Sequence, residues 1–548
     1  MKLPAGTSYQ ELRESFVWNI PARFNIGEIV SDACAATSPD RVCLQHFSPD
    51  GRHLSLTYGE LSARSAALAN AFVSLGVQKG DRVALLLPQC FETVIAHVAI
   101  YKMGAVALPL ALLFGAEALE YRLRAAGAVA IITNKFGLTR LDGLAERLAD
   151  LKHVIFCGDE AEVPGALSFE ELVCAHPSRF DVVETGPDDP ALMIFTSGTT
   201  GPPKAAVHGH RVLAGHIPGF QFGHEQAPQP DDRIWTPSDW AWAGGLLNVL
   251  LPALMLGIPV VSSPAQKFEA EMAFRIMAEM QVRNAFIPPT ALRLMKAVAD
   301  PRRRFDFDLR TVTSAGEALG RETFEWARAA LGVTVNELFG QTECNFVLGS
   351  SAGLGISRAG AIGKPVPGHE VAIVDEDGDV LPVGEIGQIA ARRPDPVMFI
   401  GYFDDEAATR AKFAGDWLLT GDLGRQDTDG YIEFVGRNDD VITSSGYRIG
   451  PSEIEDCLIA HPAVQLAAVV GKPDPVRTEI VRACIVLAQG YSPSDELAAE
   501  IREWVKTRLS MHEYPREVVF VDEIPLTTTG KVIRRLLREQ AAAEQELF

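Results

Sequence analysis

Between residues 57 and 350, short apolar runs alternate with longer amphipathic ones. RVALLLP (82–88) gives way to ETVIAHVAIYKMG (92–104), and VAIIT (129–133), LMIFT (192–196), PVVSS (259–263), NAFIPP (284–289) and TVTSAGE (311–317) follow. Unbroken apolar runs read as strands buried on both faces, and their alternation with helices predicts largely parallel sheet covered by helices. Past Gly360 the texture changes to short strands and turns, with an Asp377-Gly378 turn inside VAIVDEDGDVLPVGEIGQIAARR, which predicts a small β-rich module. After Gly436-Arg437-Asn438-Asp439-Asp440 come a helix (452–462), two strands (466–471, 484–490), a helix (496–509) and a strand (517–522), enough for a compact α+β domain. The alanine-rich tail 541–548 reads as a fraying helix end. The expected fold class is therefore α/β. A large N-terminal domain (1–438) combines parallel sheets, helices and a small β-barrel-like module, and a small α+β domain (439–548) follows it.

The stretch from Trp240 to Gln266 carries no charge, which raises the question of a membrane span. Asn248, Pro252, Gly257 and Pro259 interrupt it, so it reads as a buried helix leading into a strand. Composition supports a folded, soluble protein of several units: 548 residues, 47% hydrophobic and 22% charged. Fifty Lys+Arg against 71 Asp+Glu give a net charge of −21, which excludes wholesale binding to nucleic acid or an acidic membrane. Any polyanionic ligand must then be met by a local basic site. The eight cysteines form no Cys-x-x-Cys pair, which argues against a metal cluster or disulfide framework and suits the reducing cytoplasm. The first residues lack an apolar core and include Glu11 and Glu14, so no secretory or mitochondrial leader is expected.

The strongest local signal is Thr196-Ser197-Gly198-Thr199-Thr200-Gly201-Pro202-Pro203-Lys204, directly after an apolar strand. Glycines let backbone curl around an anion, hydroxyls donate to phosphate oxygens, and Lys204 adds positive charge. The spacing is not that of a Walker A loop, and a Ser/Thr/Gly turn standing alone is ordinarily a surface loop.

Its company changes that reading. Glu337-Leu338-Phe339-Gly340-Gln341-Thr342-Glu343, Thr420-Gly421-Asp422, Gly436 to Asp440, Ser445-Gly446-Tyr447-Arg448 and Thr529-Gly530-Lys531 follow in that order. Together they resemble the adenylate-forming (AMP-binding) superfamily, and within it the acyl-CoA synthetases of medium-chain type, from residue 30 onward. The resemblance implies ATP-dependent, AMP-forming ligation of a carboxylic acid to coenzyme A through an acyl-adenylate. ATP, Mg²⁺ and CoA are the implied small-molecule partners.

Bringing a carboxylate onto the α-phosphorus of ATP joins two anions, so cations and oriented donors are required. The resemblance gives that task to Lys531. At about 4 Å and an effective dielectric of about 20, one positive charge stabilises a negative one by about 4 kcal/mol before desolvation. It further implies Glu343 as Mg²⁺ ligand, Thr342 near the α-phosphate, Glu337, Leu338, Phe339, Gly340 and Gln341 around the adenine, and Asp422 and Arg437 on the ribose. Asp439 matches the family's hinge, about which the C-terminal domain would withdraw Lys531 and bring in Ser445, Gly446, Tyr447 and Arg448. Gly446 would admit the pantetheine arm, while Arg448, Arg477 and Tyr514 would meet the CoA nucleotide. For Arg448 and Arg477 an ordinary surface ion pair is the competing reading.

For the acyl pocket the resemblance offers Trp242, Ala315 and Gly316, with Gly340 where acetate-activating relatives carry tryptophan. Glycine there implies depth for a medium-chain or aromatic acid. Phe220 and Phe222 fit the pocket or the core equally well. The chain departs from many relatives at Ala205, where they have glycine, and Pro202-Pro203 stiffens the loop. Arg302-Arg303-Arg304 reads as a solvated loop beside Asp306 and Asp308. The rival activities are an acyl-AMP ligase loading a carrier protein and a nucleotide-binding homologue without turnover. Pro525 before Gly530-Lys531 resembles a site modified in bacterial relatives, making a lysine acetyltransferase acting on Lys531 an expected partner.

Overall fold

The computed structural model describes all residues except 1, 5, 7, 145–146, 159–163, 197–201, 264–267, 438–439, 445–446, 475–476, 510–513, 528–530 and 545–548, and describes 443, 447 and 448 by backbone alone. The alternating strands divide between two sheets. The first runs in the order Gly401–Tyr402, Lys204–Gly209, Pro190–Thr196, Val106–Pro109, Arg82–Leu86, Ala128–Asn134, His153–Cys157 and Leu167–Ser168. It is parallel from Pro190–Thr196 onward, and its other end turns antiparallel through Lys204–Gly209. The second has nine strands, with a parallel centre built from Val335–Phe339, Thr311–Ser314, Asn284–Phe286, Ile234–Trp235, Val260–Ser262 and Val42–His46.

Helices fill the space between the sheets because their residues are apolar all round. Helix Phe91–Lys102 is buried from Thr93 through Lys102, and helix Arg211–Gly223 from Val212 through Gly223. On the latter, Gly219 and Gly223 let the ring of Phe346 approach so closely that a Cβ would lie 2.9 Å and 3.1 Å from it. That contact sets the turn after Glu343 against the core. Helix Tyr58–Ser74 starts with a capping box in which Thr57 and Glu60 satisfy each other's backbone donors. Phe220 and Phe222 are 1% and 0% exposed and belong to the core.

The expected β-rich module is a five-stranded antiparallel sheet of Val371–Val374, Ile386–Arg392, Phe413–Ala414, Trp417–Gln426 and Ile432–Arg437. Gly378 turns its first hairpin at φ +90°. The C-terminal region forms a second five-stranded sheet with helices Pro451–Ile459, Asp495–Arg508 and Arg534–Ala543. The uncharged stretch folds as a π-helical turn Leu246–Leu250, helix Leu251–Leu256 and strand Val260–Ser262. Among the described residues, no helix is long and apolar enough to cross a membrane. The arginine run forms helix Pro301–Arg304 instead of a loop. Arg304 pairs with Glu271 and Arg303 with Asp300, not with Asp306 or Asp308.

Candidate active site

Described residues of the 337–343, 420–422, 436–440 and 529–531 motifs come together where the two sheets, the β-rich module and the C-terminal domain meet. Strand Val335–Phe339 alternates its side chains, so Glu337 and Phe339 stay partly open while Leu338 is buried against Gly223 and Gly349. Leu338 can thus offer a ligand only its backbone. Gln341, just beyond the strand, joins two motifs: its Nε2 donates to the Thr420 carbonyl at 2.6 Å and to Asp422 Oδ2 at 2.8 Å.

Asp422 and Arg437 are antiparallel partners on adjacent strands, and the guanidinium lies 3.2 Å from Asp422 Oδ1. Burial pushes the Asp422 carboxyl above its ordinary pKa, while Arg437, the Gln341 hydrogen bond, Lys531 and Lys412 pull it back. The pair offers a vicinal diol both acceptors and donors.

Glu343 is 7% exposed, and its Oε1 accepts a hydrogen bond from the Tyr402 hydroxyl. Tyr402 pairs across strands with Ala206, which brings its ring under the Lys204 ammonium at 5.4 Å. Its own burial, and then neighbouring Glu343, raise the tyrosine's pKa, so it stays a donor. No described residue donates to Glu343 Oε2. One anchored carboxylate with a free oxygen, on the residue after Thr342, fits a Mg²⁺ shared with substrate phosphates. Such an ion would supply neutralisation of the phosphate oxygens.

Lys531 approaches from the C-terminal domain. Its loop is closed by the Leu526–Val532 bridge, by Thr527 N–H donating to the Lys531 carbonyl at 2.7 Å, and by Lys531 N–H donating to Thr527 Oγ1 at 3.0 Å. A Cβ on Gly316, which has φ +101°, would sit 3.8 Å from Lys531 Cε. The lysine stem therefore lies against the Ala315-Gly316 strand end, and its charge reaches Asp422. Glu317, next in sequence, is held by Thr290 and Arg293.

The C-terminal domain is docked through helix Pro451–Ile459, where Asp456 accepts from the Arg321 backbone N–H at 2.9 Å. Arg534 bridges Glu455 and Asp440, and Arg538 reaches Asp440 at 2.6 Å.

Ser197, Gly198, Thr199, Thr200 and Gly201 of the phosphate loop, Asp439, and Ser445 and Gly446 lie outside the described residues. Thr196 ends its strand opposite Lys204, with Oγ1 3.4 Å from the Lys204 carbonyl oxygen. Tyr447 and Arg448 pair with Ser444 and Thr443, and Ser444 pairs with Thr478, the residue after Arg477. The Tyr514 hydroxyl takes a hydrogen bond from Arg516 within the C-terminal domain.

In the expected acyl region, Trp242 caps the helical run that begins at Ala243 and meets Phe114 edge-on at 5.7 Å. At Gly340 a Cβ would lie 2.2 Å from Phe346 N and 2.7 Å from Asn345 Cα, so the glycine serves a close backbone approach. Sequence reading missed Tyr402, Lys412, Asp456 and Asn345. Each acts across a long sequence separation, and none belongs to a periodic pattern.

The chain matches the AMP-binding enzyme family over residues 31–403 and the AMP-binding enzyme C-terminal domain over 453–531. It is 34% identical to human mitochondrial acyl-coenzyme A synthetase ACSM4, covering 95% of this chain and 91% of that one. It is 33% identical to the uncharacterized acyl-CoA ligase YtcI of Bacillus subtilis, covering 95% and 96%. Among solved structures it superposes on the anthranilate CoA ligase AuaEII in complex with anthranoyl-AMP, with TM-score 0.89, 28% identity and coverage of 96% and 99%. It also superposes on a benzoate CoA ligase from Burkholderia xenovorans, with TM-score 0.82, 30% identity and coverage of 94% and 100%. The chain belongs to the AMP-binding enzyme family. Within it, the protein is an AMP-forming acyl-CoA synthetase that uses ATP with Mg²⁺ and takes CoA as substrate.

Proposed function

We propose that this synthetase activates a medium-chain or aromatic carboxylic acid, with Lys531 neutralising the anions that meet at the α-phosphorus. The observation that carries this is the lysine stem against Gly316 with its charge felt at Asp422. Glu343 and Thr342 would hold the Mg²⁺ and phosphate side, with Lys204 and the phosphate loop beyond them, and Asp422 and Arg437 would hold the ribose. The domains divide at 438/439, with Asp439 as pivot. After adenylation the C-terminal domain turns about it, and Gly446, Arg448, Arg477 and Tyr514 receive CoA. The names of the anthranilate and benzoate ligases favour an aromatic acid, and those of the ACSM relatives leave aliphatic acids in play. Cytoplasmic residence follows from the reduced-cysteine composition, and acetylation of Lys531 would erase the charge the first half-reaction needs.

The test separates the half-reactions. Lys531→Ala should lower acid-dependent pyrophosphate release by at least about a hundredfold while sparing thioester formation from supplied acyl-adenylate. Unchanged pyrophosphate release would remove Lys531 from its role. Acetate, butyrate, octanoate and benzoate compared on the wild type would rank the acids.

A further inference from the structure

Behind Gly340 lies a polar network that no motif accounts for. His216, Asn345 and Asn248 are 0%, 8% and 3% exposed, and they come from helix Arg211–Gly223, the turn after Glu343 and the π-helical turn Leu246–Leu250. His216 Nδ1 lies 2.7 Å from the Val212 carbonyl, which can only accept, so Nδ1 carries the proton and Nε2 is an acceptor. Asn345 Nδ2 must then face it, and lies 3.0 Å away. The second proton of that amide goes to Asn248 Oδ1 at 2.9 Å. The polarity of the chain is therefore fixed from end to end. Two atoms are left over: Asn345 Oδ1, an acceptor, and Asn248 Nδ2, a donor. Among the described residues neither has a hydrogen-bond partner, and neither is sealed from solvent-sized space.

Their position is defined on two sides. Asn345 Cα lies 2.7 Å from where a Cβ of Gly340 would be, at the expected acyl wall. Asn248 stands six positions after Trp242 on the helical run that this tryptophan opens. π-Helical turns gather at functional sites because they re-aim side chains out of the regular helical register. A donor and an acceptor left unpaired on side chains this deeply buried are costly unless a ligand meets them.

We propose that Asn248 and Asn345 form a polar subsite of the acyl pocket that recognises a neutral hydroxyl on the acid, so that the preferred substrate is a hydroxylated carboxylic acid. This rests on the acid:CoA ligase reading above and narrows its substrate class. A hydroxyl has one donor for Asn345 Oδ1 and acceptor lone pairs for Asn248 Nδ2. A hydrocarbon in the same place would leave both amide atoms unpaired, which is how such sites reject analogues that lack the polar group.

The experiment measures CoA-dependent AMP release for matched pairs: benzoate against its 2-, 3- and 4-hydroxy derivatives, and octanoate against 8-hydroxyoctanoate. The ring and chain arms show which skeleton carries the hydroxyl. In the wild type, at least one hydroxylated acid should exceed its parent by about tenfold or more in kcat/KM. Asn248→Leu should reduce that preference to within about threefold, chiefly through KM of the hydroxylated acid. Asn248→Ser, smaller and still polar, should reduce it likewise if the leucine variant does not fold. A wild type that turns over the parents as well as or better than every hydroxylated partner overturns the proposal, as does a preference that survives both variants. Absence of CoA-dependent AMP release with every acid overturns the ligase reading instead.

Discussion

Asp456, in the C-terminal domain, accepts a hydrogen bond from the backbone N–H of Arg321 at 2.9 Å and so caps a helix of the N-terminal domain. Helix Arg321–Ala330 has no side-chain cap of its own, because Gly320 precedes it. A Cβ on Gly320 would meet Asp456 Oδ1 at 2.2 Å, so the glycine makes room for the visiting carboxylate. The cap exists only in this docked arrangement.

Asp456→Ala should therefore weaken docking by about 1 kcal/mol, roughly fivefold in population. Pyrophosphate exchange should fall by about that factor, while thioester formation from supplied acyl-adenylate stays level or rises. Asp456→Asn, which keeps an acceptor, should fall less. Equal losses in both half-reactions would show that the contact is not specific to the adenylating arrangement.

Tyr402→Phe removes the donor to Glu343 and keeps the ring beneath Lys204. A hydrogen bond to a charged group contributes about 1.5–3 kcal/mol, so kcat/KM for ATP at limiting Mg²⁺ should drop by about tenfold or more. Raising Mg²⁺ should recover part of it. Kinetics that ignore the Mg²⁺ concentration would disconnect Tyr402 from the metal side of the site.

Glu337 gives a pH signature. Burial, with Asp456 nearby, raises its carboxyl from 4.5 to about 7, against opposing contributions from the Leu319 N–H and Arg293. The folded state thus holds this proton more tightly than the unfolded chain. Its contribution to stability is present below the unfolded pKa and is lost as pH rises through about 7. Melting curves of Glu337→Gln against wild type should diverge between about pH 5 and about pH 8, with the wild type losing ground as pH climbs. Parallel curves would contradict the raised value.

Gly340→Ala tests the close backbone approach at that glycine. With Phe346 N only 2.2 Å from the new Cβ, the turn must shift, and stability should fall by about 1–3 kcal/mol or more. If the position merely bordered open depth, the variant would keep its melting temperature and lose only the longest acids.

The strand–helix alternation and the ordered motifs were legible because each is local: a run of apolar residues, or a few polar ones at fixed spacing. How the strands divide between two sheets was not, since partner choice depends on joints such as Ile234–Trp235, too short to show any period. The pairing of Asp422 with Arg437 follows from one hairpin and could be anticipated from TGD and GRNDD. Tyr402 beside Glu343, Asp456 beside Arg321, and Asn248 beside Asn345 arise only when distant segments meet, and their residue types are unremarkable where they stand. Gly340 carries a constraint of the same kind: the backbone of Asn345 and Phe346 packs against it, and no local pattern announces that approach.

Arg437 is the last residue of its strand, two positions before the proposed pivot, and its register partner is Asp422. A sugar gripped by that pair would be fastened to the gatepost on which the second domain hangs. Nucleotide occupancy and domain posture then become linked equilibria, so adenosine compounds lacking any reactive phosphate should still bias which way the gate stands.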